Sequence, residues 1–309
     1  MKLIIQIPCL NEAEHIEVTL AALPRQIPGV SKIEYLVIDD GSVDGTAEIA
    51  ERAGVHHVAR HPVNRGLAAA FQTGVLRALA EGADIIVNTD ADNQYNAADI
   101  EKLICPLLER RADLVIGVRP IDEIDHFSWL KKRLQWLGSL AVRTLSGTEI
   151  SDVTSGFRAL SRDAAISINL TTQFTHTLET LIQAGNKNLR IAQVPIRVNG
   201  KRRESRLFQS TGGYVARSAL DVLQIYLHYK GQRVLLWLGL TLFAPGAFLG
   251  LRYVYLEMTD QGGGHVQSLI LAAILIIMGY QSWLMSLFLT AQRSSRILIE
   301  RLISQTKSQ

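Results

Sequence analysis

Asp90, Asp92 and Gln94 occupy alternate positions in the run Thr89-Asp-Ala-Asp-Asn-Gln94. Carboxylates this close repel one another unless a cation lies between them. Two aspartates and an amide offer hard oxygen ligands of the kind Mg²⁺ or Mn²⁺ prefers, with open positions left for phosphate oxygens. A metal held there would neutralise the charge that builds on a departing diphosphate. Three more polar runs could share that work: Pro8-Cys-Leu-Asn11-Glu12, Asp39-Asp40-Gly-Ser-Val-Asp44-Gly-Thr46 and Gly117-Val-Arg119. The chain has no Walker A loop, no dinucleotide glycine fingerprint, no HExxH and no GxSxG. A nucleotide would therefore be held by a metal and by side chains rather than by a glycine-rich cradle.

Each run follows an apolar, β-branched stretch. The pattern predicts strands at Leu3–Ile7, Tyr35–Ile38, Ile85–Val87, Leu114–Val118 and Ile191–Val198. Helical periodicity falls between them, at Ile16–Leu23, Thr46–Arg52, Leu67–Leu79, Ala98–Leu108 and Phe174–Ala184. Asn96, with Asp99 three residues on, reads as an N-cap and first-turn acid. Such alternation predicts an α/β fold, a mostly parallel sheet with helices on both faces. Ligands of such sheets bind beyond the carboxyl ends of the strands. An Asp-Gly after one strand is usually only a turn. Four polar runs in register with four strands point instead to one shared site.

The segments PCLNEAEHI, VIDDGSVDGT, NRGLAAAFQTG and NTDADNQY resemble the family 2 glycosyltransferases of GT-A fold, and more narrowly their polyprenyl-phosphate, dolichol-phosphate mannosyltransferase-like branch. The resemblance covers about residues 1–210. It implies a nucleotide-sugar donor, a UDP- or GDP-sugar, and a polyprenyl phosphate acceptor. It implies that Pro8, Asn11, Glu12 and Asp40 line the nucleotide pocket. Asp90, Asp92 and Gln94 would surround the metal and diphosphate, and Arg119 would face the acceptor phosphate. Ser155-Gly-Phe-Arg158 is similar to the family's acceptor-side SGFR element, against the simpler reading of a turn with a surface arginine. Lys201-Arg-Arg-Glu-Ser-Arg206 resembles the loop that closes over the donor, which would give Arg203 and Arg206 a part in catalysis. His176 and Glu179 are looser candidates. The QxxRW element of processive synthases is absent. Related enzymes with a membrane hairpin form tetramers, so the resemblance implies a homo-oligomer.

The chain's 309 residues carry 61 charges, 32 basic and 29 acidic, in an uneven distribution. Residues 234–256 hold only Arg252, and residues 266–291 hold none. A helix needs about 20 apolar residues to cross a bilayer. Both segments are long enough, with Pro245 tolerable in the first, and together they predict a C-terminal transmembrane hairpin. Residues 1–210 then form the transferase domain, 211–233 a juxtamembrane amphipathic helix and 292–309 a tail. Lys and Arg flank the outer ends of the pair, whereas the loop near Glu257–His265 has neither. By the positive-inside rule the body and both termini are cytoplasmic, at the inner or plasma membrane. Residues 127–145 and 214–229 read as interfacial helices holding the body against the bilayer. The net charge of +3 is too small to suggest nucleic acid. The composition excludes a disordered chain, a disulfide miniprotein and a fully soluble enzyme. Cys9 and Cys105 read as buried free thiols.

An ionised polyprenyl phosphate can attack an anomeric carbon without a base. The expected reaction is therefore a single inverting displacement with cations gathering the two anions. A rival reading, transfer to a membrane hydroxyl, would need a base such as Asp122, Glu123, Asp125 or Asp152. A non-catalytic membrane scaffold is a second rival, which the intact Asp90-x-Asp92 opposes.

Overall fold

A computed structural model describes residues 1–120, 150–170, 176–199, 211–259 and 266–308, with 211–230 and 293–308 as helix backbone. The chain divides into two compact units, residues 1–222 with 307–309, and residues 223–306.

The first unit is built on a seven-stranded sheet. Its strands are β1 (Lys2–Cys9), β2 (Lys32–Asp39), β3 (His57–Arg60), β4 (Ile85–Asn88), β5 (Leu114–Val118), β6 (Arg158–Ser161) and β7 (Ile191–Pro195), in the order β3-β2-β1-β4-β6-β5-β7. All pairings are parallel except those of β6, which runs antiparallel to both β4 and β5. The fold class expected from the sequence is thus observed. The helices are α1 (Ile16–Ala22), α2 (Thr46–Arg52), α3 (Leu67–Ala80), α4 (Ile100–Leu108), α5 (Arg162–Ser167) and α6 (His176–Asn186). A short 3₁₀ turn, Ala97–Asp99, leads into α4, and Asn96 caps it by accepting from the Ala98 N–H at 3.0 Å.

Alternate residues of each strand supply the two cores, because successive side chains point to opposite faces. Leu3, Ile5 and Ile7 of β1 join Val37 and Val87 against Ile16 and Leu20 of α1 and Ile100, Leu103, Ile104 and Leu107 of α4. The other face carries Ile4, Leu36 and Ile38, all fully buried, and α3 packs against β1 and β2 there. Gly74 of α3 permits that approach, since a Cβ at this position would lie 2.7 Å from Cδ1 of Ile38.

Strand register decides which turns share an edge. Cys9 of β1 pairs with Asp39 of β2, so the turns after both strands leave the sheet side by side. Asn88 at the end of β4 pairs with Arg158 at the start of β6. An antiparallel strand enters where its parallel neighbours exit, so the Asp152–Phe157 approach to β6 shares their carboxyl edge.

The second unit consists of α7 (Thr211–Met258) and α8 (Val266–Ser308). Their stretches Gly231–Met258 and Val266–Gln292 are long and apolar enough to cross a membrane, and only 11% of either apolar window is buried. A core helix of a soluble protein would be mostly buried. The expected juxtamembrane helix and first span form one continuous helix through Pro245. Small residues let the pair close up: a Cβ on Gly279 would lie 2.9 Å from the Gly239 carbonyl oxygen. Across the pair, Trp283 Nε1 donates to the Leu236 carbonyl (3.3 Å) and Ser286 Oγ to that of Gln232 (3.2 Å).

Candidate active site

Pro8 is the last residue but one of β1, and Asn11 turns the chain at φ 54°, a left-handed value that asparagine tolerates. The Asn11 N–H donates to Ser42 Oγ and its Oδ1 accepts from the Val43 N–H, both at 2.9 Å. One residue on, the Glu12 N–H donates to Thr46 Oγ1 at 2.9 Å. These bonds lace the first acidic turn to the second and bury the Glu12 carboxylate.

Asp40 is buried at the same edge but faces α3. It accepts from the backbone N–H groups of Arg65 (3.0 Å) and Gly66 (2.8 Å), and His61 Nδ1 lies 2.6 Å away. A carboxylate is well placed at a helix N-terminus. Gly41, at φ 81°, is obligatory beside it, because a Cβ there would meet the Asn64 nitrogen at 2.7 Å. Both Asp40 oxygens are therefore already engaged, tying the turn after β2 to the start of α3.

Asp90, Asp92 and Gln94 follow β4. Asp92 Oδ1 accepts from the Gln94 N–H at 3.1 Å, and Asn93 between them takes φ 56°. Burial pushes the Asp90 carboxyl up to about 7, and the charge of Asp92 adds to that effect while Arg119 opposes it. Two aspartates and an amide on one loop form an oxygen donor set that fits a hard divalent ion. Among the described residues no cluster of three or more His, Cys, Asp or Glu forms a closed metal cage. An open site of one or two carboxylates, completed by water and substrate phosphates, is what Mg²⁺-type ions favour.

Beneath this loop lies a buried polar pair. Gln6 Nε2 donates to Asn88 Oδ1 at 2.9 Å, and Asn88 Nδ2 donates to the Gly156 carbonyl at 2.8 Å. The second bond ties β4 to the turn before β6.

At the end of β5 Arg119 is already gripped. Its Nε donates to Asp152 Oδ2 (2.7 Å), and its Nη2 to Asp152 Oδ1 (2.9 Å) and Thr154 Oγ1 (2.7 Å). Its side chain keeps 22% exposure, while Asp152 has none. Burial pushes the Asp152 carboxyl up, but the bonds from Arg119 outweigh it and leave the group below its usual range. Asp152, one of the acids a hydroxyl-acceptor enzyme could use as base, is thus committed as an anion to an ion pair. Arg158 is not a surface arginine. It is fully buried and donates to the carbonyls of Ser155 (2.8 Å), Thr177 (2.6 Å) and Val153 (2.9 Å). It holds the turn together from inside.

The structure thus brings Pro8, Asn11, Glu12, Asp40, Asp90, Asp92, Gln94 and Arg119 to one sheet edge. His176 and Glu179 are buried in α6, with the His176 ring stacked on Phe71 at 4.3 Å. Cys9 is buried, whereas Cys105 is partly exposed and so only half matches its expectation. Arg203, Arg206, the segment 127–145 and Asp122, Glu123 and Asp125 lie outside the described residues. Sequence reasoning missed Tyr95, the Arg119–Asp152 pair and Asn199. Asn199 Nδ2 donates to the Asn93 carbonyl (2.9 Å) and its N–H to that of Gln94 (2.8 Å). Only the aromatic at the end of NTDADNQY offered a signal for Tyr95.

This sheet, with one antiparallel strand delivering a turn to an acidic carboxyl edge, defines a glycosyltransferase of GT-A fold. The chain belongs to glycosyl transferase family 2, which it matches over residues 4–168, just over half its length. Its relatives include an undecaprenyl-phosphate mannosyltransferase of Micrococcus luteus, 29% identical over 78% of this chain and 100% of the other. Another is the polyprenol monophosphomannose synthase of Mycolicibacterium smegmatis, 28% identical over 62% of this chain and 74% of that one. Among solved structures, glucosyl-3-phosphoglycerate synthase from Mycobacterium tuberculosis, in complex with Mn²⁺, UDP and glucosyl-3-phosphoglycerate, has a similar fold. Its TM-score is 0.56 at 22% identity, covering 74% of this chain and 80% of that one.

Proposed function

We propose that the protein transfers a sugar from a nucleoside diphosphate sugar to a polyprenyl phosphate at the cytoplasmic face of a membrane, with inversion at the anomeric carbon. The carrying observation is the Asp90–Asp92 pair with Gln94 in the loop that follows β4 at the carboxyl edge. The named activities of the two relatives support the acceptor class. The two apolar helices support an anchor beside a lipid substrate, and the flanking basic residues support the orientation.

Asp90 and Asp92, with Gln94, would hold Mg²⁺ or Mn²⁺. When bound, that ion supplies neutralisation of the leaving diphosphate. The Asn11–Glu12 and Gly41–Thr46 turns wall the donor side, and their mutual bonds keep it rigid. On the other side, the acceptor phosphate is already ionised near neutral pH and needs no base. That agrees with Asp152 being locked to Arg119. The partly exposed edge of Arg119 faces the acceptor. Arg203 and Arg206 follow Asn199 within a few residues, and Asn199 is bonded directly to the acidic loop. Basic side chains there would offset the repulsion between two anionic substrates.

A panel of radiolabelled UDP- and GDP-sugars, offered to membranes bearing the protein with polyprenyl phosphate and Mn²⁺, tests this reading. Label from one donor should enter the organic phase, and Asp92→Ala should abolish it. No lipid-phase label with any donor, or near-normal transfer by Asp92→Ala, would overturn the assignment.

A further inference from the structure

Asn199 lies just beyond β7 and grips the acidic loop twice. Its N–H donates to the Gln94 carbonyl at 2.8 Å, and its Nδ2 donates to the Asn93 carbonyl at 2.9 Å. The second bond holds one end of a single peptide plane. At the other end of that plane the Gln94 N–H donates to Asp92 Oδ1 at 3.1 Å. A peptide is rigid and nearly flat, so fixing its carbonyl fixes the direction of its N–H. Among the described residues nothing donates to the other oxygen of Asp92. One oxygen is thus held by the chain, and the other is left for a ligand.

The plane needs this hold. Asn93 sits at φ 56°, a left-handed value that strains an L-residue, asparagine least among the non-glycines. Asn199 is itself well anchored. Val198 forms an antiparallel bridge with Tyr95, and the Asn96 N–H donates to the Arg197 carbonyl at 3.3 Å. The Arg197 N–H and Nη2 donate to the buried Asp99 at 2.7 and 2.8 Å. Tyr95 roots this seam in the body: its ring stacks on Phe157 with centroids 5.0 Å apart, and its hydroxyl accepts from the Gly156 N–H at 3.0 Å.

We infer that Asn199 is a positioning residue. Its side-chain amide fixes the Asn93–Gln94 peptide, and through that peptide the orientation in which Asp92 is offered to a divalent ion. The inference rests on the proposed function only in taking Asp92 as a metal ligand. Partners that orient a metal ligand typically govern affinity by about tenfold or more.

The test is the binding of Mn²⁺ to the purified full-length protein in detergent, with GDP or UDP present, read from the loss of the free-Mn²⁺ electron paramagnetic resonance signal. Asn199→Ala removes the side-chain donor and keeps the backbone bond to Gln94. It should weaken Mn²⁺ binding about tenfold. Asn199→Leu, close in bulk and without a donor, should lose as much, which separates the missing bond from missing packing. Arg197→Ala cuts the ion pair with Asp99 and leaves both Asn199 bonds in place. It should lower the melting temperature yet leave Mn²⁺ affinity within about twofold. Wild-type affinity in either Asn199 variant would overturn the inference. So would equal losses in the Asn199 variants and Arg197→Ala, because the stability of the seam rather than the amide would then set the site. A wild-type protein that binds no Mn²⁺ with either nucleotide would remove the metal reading itself, and this inference with it.

Discussion

Arg119 and Asp152 form a two-pronged ion pair, Nε to Oδ2 at 2.7 Å and Nη2 to Oδ1 at 2.9 Å, at the carboxyl edge of the sheet. The carboxylate is wholly buried, and the guanidinium it orients is not. Breaking one partner of a buried pair leaves an uncompensated charge. Asp152→Asn should therefore cost about 3 kcal/mol of stability, read as a lower denaturation midpoint, and reduce turnover because Arg119 is released. Full turnover with Asp152→Asn would show that Arg119 needs no such hold.

Gly156 probes the junction of the two halves. An added methyl would press on Asp90 Oδ1 at 3.1 Å. Small displacements of reacting groups are costly in rate. Gly156→Ala should fold, with a modest drop in melting temperature, and lose about tenfold or more in kcat. Steady-state kinetics beside a melting curve separates the two effects.

Much of this edge was legible in the sequence. The turns after β1, β2, β4 and β5 stood out because each follows an apolar run and carries acids or an arginine. The rest was hidden for physical reasons. β3, His-Val-Ala-Arg, is short, partly exposed and at the sheet margin, so it lacks an apolar signature. β6 opens with Arg158, and a buried arginine satisfied by three carbonyls looks like a surface residue in a sequence. Asn199 and Tyr95 lie 104 positions apart, and no local spacing announces that contact. Asp40 read as a pocket residue, and only the fold shows its oxygens turned to the start of α3.

At the opposite end of the sheet Glu34 gathers Lys2 Nζ (2.7 Å), Lys32 Nζ (2.6 Å) and His57 Nε2 (2.8 Å). Burial pushes its carboxyl up, but the bonds from these three groups win and hold it at about 2. A depressed carboxyl stabilises the fold above its unfolded value near 4.5, and that stability is lost as the pH falls toward 2. Glu34→Gln should thus melt below wild type at about pH 7, with the gap closing as the pH drops through this window. A gap that persists unchanged near pH 2 would refute the ion-pair origin.

The hairpin depends on close backbone approach at Gly239 and Gly279. Cysteines introduced as Gln232→Cys and Ser286→Cys, with Cys9 and Cys105 changed to serine, should cross-link on oxidation, since Ser286 Oγ lies 3.2 Å from the Gln232 carbonyl. Adding Gly279→Leu should sharply reduce the yield on gels. An undiminished yield would mean that this contact does not hold the pair.

The proposed mechanism turns on an acceptor that is a phosphate and not a hydroxyl. The most direct measurement offers the labelled donor that works to two lipids of equal chain length, a polyprenyl phosphate and its dephosphorylated polyprenol, in parallel. Organic-phase label is expected with the phosphate, and none above background with the alcohol. Label on the alcohol at a comparable rate would contradict this mechanism and place a base in the site.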